Sequence, residues 1–199
     1  MIHLIGVDHF KAQRKNRGLE PTELQRQYQA IVESAIQSLH PDLLAEEDHP
    51  SYLSEDGAES ILLPIAQSHG IGHLFVEADR ATQKKLGYKT VDMIKELLIA
   101  RGDGSATAAS AHKIAHQFPI RERFWLGEIG KSAQENVMLV FGDLHFTTFT
   151  QLLAAKGIPY SILAERVGVD TANDPEYQAL RYAQDRNMFG DTNCFCLES

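Results

Sequence analysis

The sequence predicts an α/β fold: a single domain with a mostly parallel sheet flanked by helices, its site at the carboxyl ends of the strands. Three observations carry that reading. Short apolar runs alternate with amphipathic helical stretches along most of the 199 residues. The apolar runs are nearly continuous rather than alternating, as strands buried on both faces require. Two of them end in the same step, Gly-x-x-His, at Gly6 with His9 and at Gly142 with His145.

Residues 2–7 form the first strand. A polar loop follows, and Pro21-Thr22-Glu23-Leu24 opens a helix, with proline suited to the first turn and Glu23 to the positive end of the dipole. Leu24, Tyr28, Ile31, Ala35 and Leu39 recur at helical spacing and turn one stripe to a core, until His40-Pro41 stops the helix. Residues 43–47 are a short strand ending in two carboxylates, Glu46 and Glu47. Residues 57–69 read as a helix with Ile61, Leu62, Ile65 and Ala66 on one side and Gly70 as its C-cap. A third strand spans 73–77, and Asp79-Arg80 follows it.

From 91 to 134 the pattern is helical, broken at Gly102-Asp103-Gly104 and at Pro119. A fourth strand covers 137–141, a helix 146–156, and a last strand 160–163 after the turn Gly157-Ile158-Pro159. The organisation expected is an α/β domain over 1–168 with a helical, lid-like insertion at about 88–134. A polar extension over 169–199 follows, with a helix at 175–188.

Composition bounds the function. A hydrophobic share of 43% and a charged share of 23% are those of a soluble globular protein. A formal charge of −8 argues against nucleic acid as the main partner and against an anionic membrane surface, since both select clustered Lys and Arg. The basic stretch at 11–17 is a short polar loop. No secretory pattern opens the chain and no run reaches the length of a membrane span, so a cytoplasmic protein is expected. Cys194 and Cys196, one residue apart, make neither a disulfide framework nor a zinc site.

Two histidines delivered to one sheet edge suggest one shared site. His9 and His145 would bind a metal through neutral imidazole, or one would act as a general base. Glu46 and Glu47 face opposite sides of their strand, so one of them turns to the site. Asp79-Arg80 also follows a strand, and Arg121 and Arg123 lie on a helix; each arginine would hold a substrate oxyanion or tie down a carboxylate. His112 and His116 have zinc-ligand spacing, but Lys113-Ile114-Ala115 between them lacks the glutamate of a His-Glu-x-x-His protease.

Taken together these motifs resemble the TraB/Tiki superfamily, which includes ChaN-like and erythromycin esterase-like proteins. The matches are Gly6 with His9, residues 41–47, Asp79-Arg80, Arg121-Glu122-Arg123, and Gly142 with His145 followed by Phe149 and Leu152-Leu153. They occur in family order from residue 5 to about 157. The resemblance implies an α/β domain whose histidines and glutamate serve a divalent-metal-dependent protease in the Tiki-like branch. In the erythromycin esterase branch it implies a histidine base acting on water without a required metal, and in ChaN-like members haem binding. Placement against Pro41 favours Glu47 over Glu46, and the acids inside the two histidine steps, Asp8 and Asp143, would orient the histidines or be ligands themselves.

The expectation is therefore a hydrolase acting on an amide or ester bond of a small molecule or peptide. Its site is His9, Glu47 (or Glu46) and His145, supplying N, O and N ligands to Zn, Mn or Co, with Arg121 or Arg123 steadying the oxyanion. The alternatives are a metal-independent esterase with a histidine base, and a non-catalytic module binding haem or a partner protein.

Overall fold

The computed structural model describes residues 1–100, 102, 104–168 and 174–189, without the side chains of His9 and Phe10. Cys194 and Cys196 lie outside the described residues. The chain runs β1 (Ile2–Val7), a π-turn (His9–Gln13), β2 (Arg14–Asn16), α1 (Glu23–Leu39), β3 (Leu43–Glu46), α2 (Pro50–Glu55) and β4 (Ala58–Ser60). It continues through α3 (Leu62–His69), β5 (Gly72–Phe75), α4 (Arg80–Lys85), α5 (Val91–Ile99), α6 (Ala106–His112), a second π-turn (Lys113–Gln117) and α7 (Phe118–Lys131). Last come β6 (Val137–Gly142), a 3-10 turn (Asp143–His145), α8 (Phe146–Ala155), β7 (Tyr160–Val167) and α9 (Pro175–Asp185).

The predicted α/β fold is present. Five strands form one sheet in the order β5-β3-β6-β1-β7, with every pairing parallel. Strand alternation sends Ile5, Val7, Leu44, Met138 and Val140 to one face, where α1 and α3 cover them with Tyr28, Val32, Ile36, Leu62 and Ile65. The other face carries Leu4, Leu43, Ala45, Leu139 and Phe141 against Trp125 and Ile129 of α7 and Phe149 and Leu153 of α8. Each large side chain so buried contributes roughly 1.5–3 kcal/mol, so both layers are needed to hold the sheet. No helix of the described residues is long and apolar enough to cross a membrane.

The chain leaves β1 and β6, which are neighbours, in opposite directions. After β1 it crosses through α1 to β3 on the far side of β6; after β6 it crosses through α8 to β7 on the far side of β1. Such a reversal opens a crevice at the carboxyl ends of the two strands.

Local chemistry explains where the elements depart from the expected bounds. Thr22 is the N-cap of α1 in a reciprocal capping box with Gln25, so the helix starts at Glu23 and Pro21 stays outside its first turn. The helix expected over 57–69 starts only at Leu62. Gly57 turns the chain at φ 63°, residues 58–60 pair antiparallel with residues 14–16, and Ser60 Oγ then accepts from the N–H groups of Leu62 and Leu63, both at 3.0 Å. Pro119 does not break the helical segment. The π-turn just before it shifts the ladder so that the Phe118 N–H donates to Lys113 O, and the missing proline N–H is absorbed there.

Candidate functional site

The crevice is a cavity of about 430 Å³ at the carboxyl ends of β1, β3 and β6. β1 contributes Asp8 to its wall, β3 Glu47 and Asp48, and β6 Asp143 and His145 through the following turn. Arg121 reaches it from α7, Lys113 and Phe118 from the π-turn and its end, Glu77 from the segment after β5, and Tyr177 from α9.

The two Gly-x-x-His steps meet in this turn. A Cβ on Gly6 would collide with the Phe146 ring and with Asp143 Oδ1, so glycine in β1 makes room for the turn that follows β6. Asp143 is fixed from two sides: Arg166 N–H donates to Oδ1, and Tyr177 O–H to Oδ2, which fastens α9 over the cavity. Burial pushes the Asp143 carboxyl up from its usual value. Asp8 accepts from Lys11 N–H and pairs with the Lys11 ammonium at 2.8 Å. The backbone of His9 begins the π-turn directly after β1, and its side chain is outside the described residues.

Glu47 and Glu46 part company as alternation requires. Glu47 is 5% exposed and lies on the cavity side, where Oε2 accepts from Gly142 N–H at 2.6 Å and Oε1 pairs with Arg121 Nη2. Glu46 is fully buried on the α1 and α3 side. There Oε1 takes bonds from Ser60 Oγ at 2.5 Å and His73 Nε2 at 2.7 Å, and Oε2 one from Gln13 Nε2 at 3.1 Å. Glu46 is thus a carboxylate of the sheet's other face rather than of the cavity.

Arg121 is a charge hub. Its Nε donates to Glu77 Oε2 at 2.8 Å, its Nη2 pairs with both Glu77 and Glu47, and its Nη1 stands 3.4 Å from His145 Nε2. The guanidinium also stacks near Trp125, 5.1 Å from the ring centre, and Trp125 Nε1 donates to Glu77 Oε2 at 3.2 Å. Two buried carboxylates and one part-buried guanidinium compensate one another, and removing the centre would strand both. Arg123, two residues on, points to the opposite side of α7. It is exposed and borders a shallow cleft with Met1, Ile2 and Gly130, away from this cavity. Asp79 caps α4 by accepting from Thr82 N–H at 2.6 Å, and Arg80 pairs with Glu55 at 2.7 Å on the surface; neither lines the cavity.

His145 is 2% exposed, stacked on Phe118 at 3.7 Å and tilted against Trp125 at 4.6 Å. Its Nδ1 lies 2.8 Å from Glu122 Oε1, which also accepts from Thr148 Oγ1. Nδ1 lies against a carboxyl oxygen that also accepts from Thr148, which places the hydrogen on Nδ1, while Nε2 stands 3.4 Å from Arg121 Nη1 and 3.5 Å from Glu47 Oε1. Glu122 is fully buried, and its Oε2 has no hydrogen-bond partner among the described residues. That burial pushes its carboxyl up to about 8, against the opposing pull of the Thr148 hydroxyl.

Of the residues expected from the sequence, the structure gathers Asp8, Glu47, Arg121, Asp143 and His145 around one cavity and leaves Glu46, Arg123, Asp79 and Arg80 outside it. His112 and His116 pack ring against ring at 4.4 Å on the helix and are not on its wall. Sequence reasoning passed over Glu77, Glu122 and Lys113. Glu77 carried a usable signal, since it ends an apolar run as Glu47 does. Glu122 stood inside the Arg121-Glu122-Arg123 motif without a role of its own, and Lys113 carried no signal, because nothing in a helical pattern distinguishes a charged side chain turned inward from one turned to water.

The described residues do not suit a divalent metal. Both Glu47 oxygens are already engaged, by Arg121 and by Gly142 N–H. Among the described residues no group of three or more His, Cys, Asp or Glu side chains is placed to hold a metal ion. Compared with protein-family models, with curated proteins and with solved structures, the chain matches none.

Proposed function

We propose that the chain is a hydrolase of ester or amide bonds in which His145 activates water without a metal. The observation that supports this most is the buried line from Glu122 through His145 Nδ1, with Nε2 turned to the cavity wall. In the proposed step Nε2 takes a proton from water as the water oxygen attacks the carbonyl carbon. Glu122 Oε1 accepts from Nδ1–H and so keeps Nε2 as the basic nitrogen. The tetrahedral intermediate then breaks its C–O or C–N bond, and Nε2–H returns the proton to the leaving group. Burial pushes the Glu122 carboxyl up to about 8, so at neutral pH Oε1 orients the imidazole as the acceptor oxygen of a protonated acid.

Arg121 acts in this reading as a positioning residue. Its donors hold Glu47 and Glu77 in place beside His145. The order of motifs shared with the TraB/Tiki superfamily also supports a hydrolase, and the erythromycin esterase-like branch is the one whose metal-free chemistry suits this arrangement. A Zn, Mn or Co enzyme with His9 as a further ligand is the weaker reading, because both oxygens of the Glu47 carboxylate are already engaged. Haem is weaker still, since the wall is largely charged.

A panel of small esters and amides, assayed with and without exhaustive chelation, tests the proposal. Turnover should survive chelation, fall at least about a hundredfold in His145→Ala, and stay at the wild-type rate in Arg123→Ala. Wild-type turnover by folded His145→Ala would overturn it. So would activity that chelation removes and Zn, Mn or Co restores.

A further inference from the structure

Lys113 stands on the cavity wall in the π-turn that precedes α7. The other cations of the wall each have carboxylates at ion-pair distance: Lys11 has Asp8, Arg14 has Asp48 and Asp56, and Arg121 has Glu47 and Glu77. Among the described residues Lys113 has no such partner, and its Nζ lies 5.6 Å from the centre of the Phe118 ring. The same ring carries His145 stacked upon it, so the amine and the proposed base share one aromatic platform.

Lys113 is partly buried, and burial together with the charge of Arg121 lowers its amine below the usual lysine value. Glu176, at the exposed rim on α9, feels the Lys113 charge, and Lys113 feels that of Glu176. The two do not close to an ion pair among the described residues, so a gap separates them. A partly desolvated ammonium without a close counter-ion is relieved by any anion that enters.

The charge of the wall says which anion. Its lining residues include seven Asp and Glu against four Lys and Arg, an excess of acid that repels a multiply charged group such as a phosphate dianion. A single carboxylate needs only one counter-ion, and Lys113 is placed to supply it.

We propose that Lys113 recognises a carboxylate carried by the substrate, and so presents a monoanionic ester or amide to His145. The proposal rests on His145 as the base, and its test separates the two. Monomethyl succinate and methyl butyrate, one with a terminal carboxylate and one without, are titrated by ligand-observed NMR against wild type, Lys113→Met and Glu176→Gln. Hydrolysis of both esters is followed in parallel, and circular dichroism checks that each variant is folded.

Wild type should prefer monomethyl succinate. Lys113→Met, which keeps the length of the stem, should lose about tenfold or more in affinity for it and none for methyl butyrate. Glu176→Gln, which removes a nearby competing negative charge, should bind the monoester more tightly. Equal affinity of wild type and Lys113→Met for monomethyl succinate would overturn the proposal, as would absence of binding to wild type. Charge-selective binding without hydrolysis of either ester supports the carboxylate site and counts against the hydrolase. Hydrolysis of both esters with no charge preference supports the hydrolase and removes the carboxylate site.

Discussion

Glu46 and Glu47 are neighbours in sequence, both almost wholly buried, and they live in different chemistry. Glu46 is closed in by Ser60, His73 and Gln13 under α1 and α3, in a sealed polar cluster within the core. Glu47 meets Arg121 and Gly142 N–H at the wall of a cavity shared with Glu77 and His145. Alternation along a strand turned adjacent side chains to opposite faces, and what covers each face did the rest. On one side the helices seal the carboxylate in. On the other α7 brings a guanidinium and leaves an opening. A buried carboxylate at a strand end is therefore not a site until the opposite element leaves room for a ligand.

The largest effect should come from breaking the open side at its hub. Arg121→Met strands Glu47 and Glu77 without a cation, and urea unfolding should show a loss of about 3–5 kcal/mol. A loss below about 1 kcal/mol would show that the two acids do not depend on it.

The sealed side should respond more mildly and without a functional signature. Glu46→Ala leaves His73 and Ser60 without an acceptor, and should cost about 1–3 kcal/mol in the same measurement while ester turnover by the folded protein persists. Abolished turnover in that variant would erase the contrast between the faces.

The smallest and most specific test is a pH profile. Burial holds the Glu122 carboxyl at about 8 against an ordinary 4.5, so the folded chain keeps a proton that the unfolded chain has already lost. That contribution is fully present below about pH 4.5 and disappears as pH rises through about 8. Glu122→Gln, which cannot ionise, should flatten the fall in melting temperature across this window. An unchanged slope would place the titration elsewhere.

Much of this architecture was legible in the chain before folding. Continuous apolar runs such as 2–7 and 137–141 announced strands buried on both faces, and the parallel sheet followed from their alternation with helices. The Gly-x-x-His steps marked the strand ends at which the cavity lies, although the first glycine serves close packing against Phe146 rather than the approach of a ligand. Shorter signals were lost. The ribbon of β2 and β4 involves three residues on each side, too few for any period, and Pro119 reads as a break because a π-turn leaves no trace in composition.

By itself the sequence determined the layers, the strand ends and the parity that sets Glu46 and Glu47 apart, because each is a property of one local segment and its period. The tertiary structure alone decided that Arg121 is held by two acids, that Glu122 backs His145, and that Lys113 is left facing the cavity. These outcomes depend on partners far along the chain, Arg121 and Glu77 being 44 residues apart and His145 and Glu122 23 apart. Charge compensation is settled between elements, by burial and distance in space, and no pattern within a single element records it.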